Sequence, residues 1–280
     1  MTDYPFNADK PIKADTITNF CIYTEQNAEH IFRSLFGFVR RAKFRWKDAD
    51  EIYIGPGCYH HYGSTRNRLV WWNSELTFKL GSAGSNGSSD DVDDGAVTWH
   101  YIYIDDSAVN SLASNELTAA EFLNDTTAPT WSDTYHGFYN GNDRCIGAVL
   151  ASAANAVLEF FHDGSEYIQY ADNISEYSGA PSSTWTDVDL TSSIPGFCTR
   201  AALSIRATYG DAGSVLYCRV NGQTGATGIV LGTAGAAASY DTIVSAIATS
   251  SAQVIEVKYD TATTNTVIIN TVGWYFPRGM

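Results

Sequence analysis

The stretch Tyr139-Asn-Gly-Asn-Asp-Arg-Cys-Ile-Gly-Ala-Val-Leu150, with the residues after it as far as Phe161, decides the fold class of this chain. A polar turn leads into the apolar run Cys145 to Leu150. Small residues over 151–155 then separate this run from a second one, Val157 to Phe161. Two short apolar runs joined by a tight turn of small residues predict a β-hairpin.

The rest of the chain has the composition and spacing of short strands. It contains 17 Tyr, 13 Phe and 7 Trp but only 2 Met, which suits sheet surfaces better than helical cores. The predicted strands are Phe44–Trp46, Glu51–Ile54, Arg68–Trp72, Leu76–Leu80, Val97–Ile104, Thr186–Leu190, Ala201–Tyr209, Ser214–Val220, Ile229–Leu231, Val254–Tyr259 and Thr266–Phe276. We therefore expect a mainly β protein of antiparallel sandwich or jelly-roll-like domains, with a type I′ turn at Asn221-Gly222.

The N-terminal region differs from this pattern. Residues 1–24 are polar and indicate an extended arm. Apolar side chains then recur at helical spacing over Glu25–Val39, although the β-rich context favours a strand near Phe36–Phe44. The helix packs either on its own domain or in an oligomer or larger assembly, and the residues expected to attach it are Ile31, Phe32, Leu35 and Phe38.

The sequence suggests three parts. We expect an arm and helix over 1–40, a β-rich domain over 41–175 and a C-terminal β-sandwich over 176–280. The polar residues 171–183 are interpreted as the linker between the two β domains. A short helix is expected within 115–122, opened by Ser114 or Thr118.

Charge is unevenly distributed along the chain. The formal net charge is −14, which argues against nucleic acid as a partner because phosphate binding needs a basic surface. Between Lys79 and Arg200 the only Lys or Arg is Arg144. This pattern fits either a generally self-repelling surface or a basic N-terminal end that docks while an acidic body faces solvent. Arg144 is expected to be partly buried and paired with Asp143, Glu159 or Asp163.

The cysteines and the apolar runs argue against several classes of protein. Five widely spaced Cys, with no CxxC pair, favour buried thiols over a zinc site, although Cys198 and Cys218 could be bridged. No run approaches membrane-spanning length, and the first residues lack the apolar core of a signal peptide. We therefore expect synthesis in a cytoplasm and no membrane partner.

No catalytic or cofactor motif is present in the sequence. The acidic loop Asp90–Gly95 lacks the alternating carboxylates of an EF-hand. The pair His60-His61 would need further metal ligands, such as His100 or His136, so surface or interface histidines are the favoured interpretation. We expect no metal, no cofactor and no enzymatic activity.

Exposed aromatic side chains are the candidate binding residues. Aromatic faces near Asp and Asn suit glycans, because sugar C–H faces stack on rings while hydroxyls meet carboxylates. The favoured interpretation is nevertheless that most of these rings build the core or a subunit interface. The candidates are Trp71, Trp72, Trp99, Trp131 and Tyr135.

Three groups of segments carry a family resemblance. They are Phe44–Gly57; Trp99–Ile104 with the later Asp143–Val149 and Leu158–Phe160; and Trp185–Leu190 with Ile194-Pro195, Arg200–Leu203 and Gly273–Pro277. In this order they resemble β-rich structural proteins of tailed-phage virions, in the tail-fibre, head-fibre and decoration-protein group. The resemblance implies a non-enzymatic, usually trimeric part fixed to the particle. The lack of a heptad or collagen-like repeat favours a compact spike, fibre-base or decoration protein over a long fibre.

The expected function is therefore a structural virion component. It would be attached through its N-terminal region to capsid, neck or tail proteins, form a homotrimer and expose acidic β domains to solvent. The alternatives are a glycan- or receptor-binding module of a tail fibre that contacts a host surface glycan, or a polysaccharide depolymerase. A depolymerase would need two carboxylates across a cleft, for which pairs such as Asp105-Asp106 are the candidates.

Overall fold

The computed structural model describes residues 38–65, 67–80, 92, 95–210, 212–225, 228–233, 238–261 and 265–280. These residues form 21 β-strands, one α-helix and one 3₁₀ turn. The strands are β1 (Phe38–Arg40), β2 (Phe44–Trp46), β3 (Glu51–Ile54), β4 (Gly57–Tyr62), β5 (Asn67–Trp72), β6 (Leu76–Lys79), β7 (Thr98–Ile104), β8 (Phe122–Asp125), β9 (Thr130–Ser132), β10 (Gly137–Asn140), β11 (Asp143–Ser152), β12 (Ala156–Val157), β13 (Phe160–His162), β14 (Tyr167–Gly179), β15 (Thr186–Asp189), β16 (Arg200–Tyr209), β17 (Val215–Val220), β18 (Ile229–Thr233), β19 (Ala238–Ala248), β20 (Val254–Tyr259) and β21 (Thr266–Tyr275). The helix α1 is Asp106–Ser111, and the 3₁₀ turn is Ala119–Glu121.

The strands form five antiparallel sheets, which confirms the predicted mainly β fold. Their strand orders are β1-β4-β5, β2-β3-β6, β8-β7-β11-β10-β9 with β12 beside β11, β13-β14-β21-β16-β19, and β15-β20-β17-β18. Buried side chains from all five sheets belong to one hydrophobic core. The last two sheets contact each other through rings such as Tyr209 and Tyr259, whose centroids are 5.6 Å apart.

The hairpin predicted around Cys145–Phe161 is present but short. Strand β11 pairs with β12 only at Ala151–Val157 and Ser152–Ala156, and Asn155 takes the turn with φ 61°. At its other end β11 pairs with β10, at Tyr139–Arg144 and Asn140–Asp143. The second apolar run therefore leaves this sheet, and its continuation β13 pairs with β14 in another sheet. Nearly all of β11 is buried, which explains its continuous apolar sequence.

The predicted linker over 171–183 is wrong for most of its length. Residues up to Gly179 belong to β14, which pairs with β21 along the same stretch. Many side chains of this strand are exposed or half-buried, so its sequence is as polar as that of a linker. The boundary expected between 175 and 176 consequently falls inside a strand.

Two local predictions are corrected by the backbone. At Asn221-Gly222 only the glycine has positive φ, at 82°, whereas a type I′ turn needs positive φ at both positions. The helix expected within 115–122 is reduced to the 3₁₀ turn, but Thr118 caps it as predicted and Glu121 completes a capping box.

The predicted N-terminal helix lies mostly outside the described residues, including Ile31, Phe32 and Leu35. Its last expected residues belong instead to β1, where Phe38 is paired with Tyr59 of β4. The described cysteines are free thiols, so Cys198 and Cys218 are not bridged. Cys145, Cys198 and Cys218 are buried, as the sequence predicted.

Candidate functional site

The five candidate aromatic residues lie in different environments. Trp72 is 1% exposed and stacks on Tyr59 with ring centroids 5.6 Å apart, which excludes it as a ligand platform. Trp71 is half-buried. Trp99 is also half-buried, and its indole nitrogen donates a hydrogen bond to the Thr191 carbonyl. Trp131 is 43% exposed.

Tyr135 is close to Trp131 in sequence but belongs to a separate stack of rings. It lies parallel to Tyr62, with centroids 5.1 Å apart, and meets Tyr139 edge-on at 5.2 Å. One face of Tyr135 is therefore covered by protein. Of the five candidates, Trp131 offers the most accessible ring.

Trp131 borders an open cleft of about 450 Å³. Three segments that are far apart in the sequence meet there: the β9–β10 hairpin, the residues just before β16, and the segment after β21. Their side chains make the cleft mainly aromatic and apolar, with a few polar groups at its margin. The lining residues are Trp131, His136, Phe138, Phe197, Thr199, Pro277, Arg278 and Gly279.

The β9–β10 pairing fixes the position of Trp131. Trp131 lies opposite Phe138 in the register, and the two rings meet edge-on with centroids 5.3 Å apart. The Trp131 indole nitrogen donates a hydrogen bond of 2.7 Å to Asp133 Oδ1. These two contacts hold one edge of the indole, while much of the ring remains open to solvent.

Phe138 and Phe197 line the cleft and begin a row of aromatic rings that continues into the core. Phe138 contacts Phe197 with centroids 5.7 Å apart, and Phe197 contacts Trp274 at the same distance. Trp274 in turn meets Trp99 edge-on at 6.1 Å. Trp99 and Trp131, both predicted as candidates, are thus connected through this row, but Trp99 does not line the cleft.

The segment after β21, which forms one wall of the cleft, is held in place by Arg144. The Arg144 side chain is fully buried, donating hydrogen bonds of 2.9 Å to the Tyr139 hydroxyl and 2.8 Å to the Gly279 carbonyl. Its guanidinium carbon also lies 5.3 Å from the Tyr139 ring centroid. Gly279 packs against Trp131, where an added Cβ would approach the ring to 2.7 Å.

The predicted carboxylate partner of Arg144 is wrong. Among the described residues, the salt bridges do not include Arg144, and the carboxylate of Asp143 accepts instead from the backbone N–H of Asp106. A carbonyl dipole, a phenol and aromatic faces therefore stabilise the buried charge. Gly137 makes room for it, because a Cβ at that position would lie 2.4 Å from Arg144 Nη1.

A second arginine, Arg41, is hydrogen-bonded to the same C-terminal segment. Arg41 donates hydrogen bonds of 2.7 Å to the main-chain oxygen of Met280 and 3.0 Å to that of Ser165. Its guanidinium lies over Phe276, 5.1 Å from the ring centroid. The segment Pro277–Met280 is thus held by one arginine from the interior and by another that follows β1.

The paired histidines are buried, so the predicted surface or interface position is wrong. His60 and His61 are 1% and 0% exposed. His61 Nε2 lies 3.0 Å from Asp106 Oδ1, and burial followed by the charges of Arg144 and His136 lowers the pKa of His60 to about 4. Within the described ranges, no three His, Cys, Asp or Glu side chains converge to hold a metal ion.

The carboxylate pair considered for a depolymerase has structural roles. Asp105 caps α1 by accepting from the backbone N–H groups of Ser107 and Ala108. Asp106 accepts from Ser64 and contacts His61. Neither residue lines the cleft, whose polar groups at the margin are those of His136, Thr199 and Arg278.

The arrangement can bind a flat apolar group. An exposed indole above an aromatic floor can stack on a flat apolar face, and the marginal polar groups can meet hydroxyls or charges. Sequence reasoning identified Trp131 but missed Phe138, Phe197 and Pro277–Gly279. No local pattern links these segments, because tertiary folding alone brings them together.

Comparisons with protein-family models, with curated proteins and with solved structures found no match to this chain. In the part of the chain that the structure describes, neither helical segment is long and apolar enough to cross a bilayer.

Proposed function

We propose that this chain is a non-enzymatic structural component of a phage virion, held to the particle through its N-terminal region. The observation that carries the proposal is the anchoring of β1 and the residues just after it to the rest of the β body. Residues 1–37 join the body at β1, and Arg41, which follows it, is bonded to the main chain at Ser165 and Met280. Force applied at β1 would be transmitted to the core through these contacts.

Two further contacts strengthen this junction. The backbone N–H of Ala42 donates to the Tyr59 hydroxyl at 2.8 Å, and that of Phe44 donates to His162 Nδ1 at 3.0 Å. Both acceptors are buried. A rigid junction of this kind suits a part that must keep its orientation on a particle, such as a compact spike, fibre base or decoration protein.

The charge of the chain agrees with an outward-facing body. With a net charge of −14, the folded protein repels nucleic acid and other acidic surfaces. Most of the Lys and Arg residues lie in the first part of the chain, up to Lys79. Residues 1–37 contain three Lys or Arg and five Asp or Glu, so the segment best suited by charge to contact an acidic particle surface is Arg40–Lys47, which has five Lys or Arg and no Asp or Glu.

Incorporation into particles tests this function. Phage particles would be assembled with the full chain or with a chain beginning at Phe38, and the bound copies would be counted by mass spectrometry. We expect the full chain on the particles and the shorter chain folded but free. Absence of the full chain from particles, or equal incorporation of the shorter chain, would refute the proposal.

A second candidate function is the binding of a host surface glycan in the Trp131 cleft. The observation that favours it is the 43% exposed indole beside Phe138, with Arg278 at the cleft margin. A sugar ring would stack on Trp131 while its hydroxyls face the polar margin.

A glycan array, followed by titration of any glycan that binds, tests this role. Trp131→Ala should weaken binding by about two- to tenfold, because one stacking contact is lost. Phe161→Ala is the matched control, since Phe161 is 59% exposed and does not line the cleft. Equal affinity of wild type and Trp131→Ala would rule out the cleft as the glycan site.

A further inference from the structure

Strand β18 forms an unusual edge of the C-terminal sandwich. It is the outer strand of the sheet β15-β20-β17-β18 and pairs with β17 on its inner side. Ile229 and Val230 of this strand are 55% and 54% exposed. An exposed apolar edge strand is a template for pairing with another strand.

The edge also lacks the charges that usually protect such strands. Residues 220–240 contain no Asp, Glu, Lys, Arg or His, although the chain as a whole is 17% charged. Natural proteins discourage edge-to-edge association with charged side chains, prolines, bulges or very short strands. Strand β18 contains neither a charge nor a proline.

The other outer strands of the two C-terminal sheets are protected. Strand β15 carries Asp187 and Asp189, both exposed. Strand β13 has only three residues. Strand β19 carries the exposed Asp241 and is bulged near Ala246, whose φ is 58°. Strand β18 is also bulged, at Leu231, but unlike β15 and β19 it carries no charge, and with five residues it is longer than β13. The contrast in charge indicates that β18 is open to a partner.

The space beside β18 is also incompletely covered. Ile229 lies opposite Cys218, which is fully buried between the sheets, yet Ile229 itself is more than half exposed. A cleft of about 240 Å³ opens nearby between β18 and β19, with Leu231 and Tyr240 in its lining. The described part of the chain thus leaves apolar surface exposed at the end of the core.

We propose that a second copy of this chain pairs along β18, extending the sheet β15-β20-β17-β18 and covering Ile229 and Val230. The charge distribution favours this occupant. Two copies with a net charge of −14 repel each other over most of their surfaces, but they can meet along an uncharged edge. A basic partner would gain nothing from a neutral edge when acidic surface is available elsewhere.

The inference deepens the proposed virion role, because it identifies the surface through which copies would associate. Its failure would still be distinguishable from failure of that role. Particle attachment is tested through residues 1–37, whereas copy pairing depends on β18 in the body of the protein.

Light scattering after size exclusion, on the full chain over a concentration series, tests the pairing. The wild type should have a multiple of 30.5 kDa, and Ile229→Lys with Val230→Lys should weaken association by at least about tenfold. Val97→Lys is the matched control, because Val97 is also 55% exposed and the charge change per site is the same. Its mass should equal that of the wild type.

Thermal unfolding would confirm that the doubly substituted protein is folded, and Thr233→Lys provides a second variant at an already exposed position on β18. Added salt should strengthen wild-type association by screening the repulsion between copies. A wild-type monomer at all concentrations and salt levels would overturn the proposal. So would an unchanged association constant in both folded β18 variants.

Discussion

Replacement of Arg144 by Met should destabilise the protein, although it removes a buried charge. The change breaks the hydrogen bonds to the Tyr139 hydroxyl and the Gly279 carbonyl, at 2.9 and 2.8 Å. Hydrogen bonds to a charged group contribute about 1.5–3 kcal/mol each, so the two together contribute about 3–6 kcal/mol. Part of this loss is offset because the charge no longer has to be desolvated, and because Arg144 Nε has no hydrogen-bond partner among the described residues.

The expected net loss for Arg144→Met is about 2–4 kcal/mol of unfolding free energy. Arg144→Lys should lose more, because the ammonium keeps its charge but cannot reproduce the planar, two-armed geometry that reaches both acceptors. Urea unfolding followed by circular dichroism measures both values. Arg206→Met is the control, since Arg206 is exposed and pairs with Asp241 across 3.6 Å. Its unfolding curve should match that of the wild type.

A second readout separates the loss of the wall contact from a general loss of stability. Arg278 is exposed beside Gly279, so trypsin can cleave after it once the wall is released. Arg144→Met should lose the last two residues faster than the wild type under native conditions, as measured by mass spectrometry. If Arg144→Met is as stable as the wild type and is cleaved at the same rate, the reasoning about this guanidinium is wrong.

Three further predictions concern the core. Burial lowers the pKa of His60 to about 4, and it lowers the pKa of His61 and His162 below the usual value of about 6.5. Between about pH 7 and pH 5 the unfolded chain therefore binds more protons than the folded one, and the urea concentration at the unfolding midpoint should fall as the pH decreases. A midpoint that does not change over this pH range would refute the prediction. Gly137→Ala should destabilise the protein strongly, because the added Cβ would overlap the Arg144 side chain. Gly225→Ala is the control and should leave the stability unchanged, because no described atom lies within 4 Å of a Cβ added there. Equal melting temperatures of the two variants would contradict the tight contact at Gly137. Trp72→Ala should lower the free energy of unfolding by about 3–5 kcal/mol, because Trp72 is fully buried. Trp131→Ala should lower it much less, because Trp131 is 43% exposed. Equal decreases in the free energy of unfolding would contradict this difference in burial.

Hydrophobic alternation and turn residues were sufficient to predict most strands. The alternation of Ile255 and Val257 with their polar neighbours gave β20, and the glycines around Pro56 correctly ended β3. Strand β4 was missed because Gly57-Cys-Tyr-His-His-Tyr62 contains two histidines, which usually indicate a surface. In the structure both are buried, with Asp106 beside His61.

Other elements depend on tertiary context that a local pattern does not contain. Strand β14 is polar because many of its side chains remain accessible, although its backbone pairs with β21. The Gly279 carbonyl that partners Arg144 is 135 residues away in sequence, so the sequence predicted burial of the arginine but not its contacts. The cleft was likewise recognisable only through Trp131, because its other walls come from distant segments.

The solution masses of the full chain and of a chain beginning at Phe38 test most directly whether this is a self-associating body with a separate N-terminal attachment. Because β18 lies within the body, the account predicts that both proteins associate in the same number of copies, so that each has the same multiple of its own chain mass, which is 30.5 kDa for the full chain. The shorter chain would then differ only in its failure to join particles. Monomers in both cases, or an oligomer that becomes monomeric when residues 1–37 are removed, would contradict this division of roles.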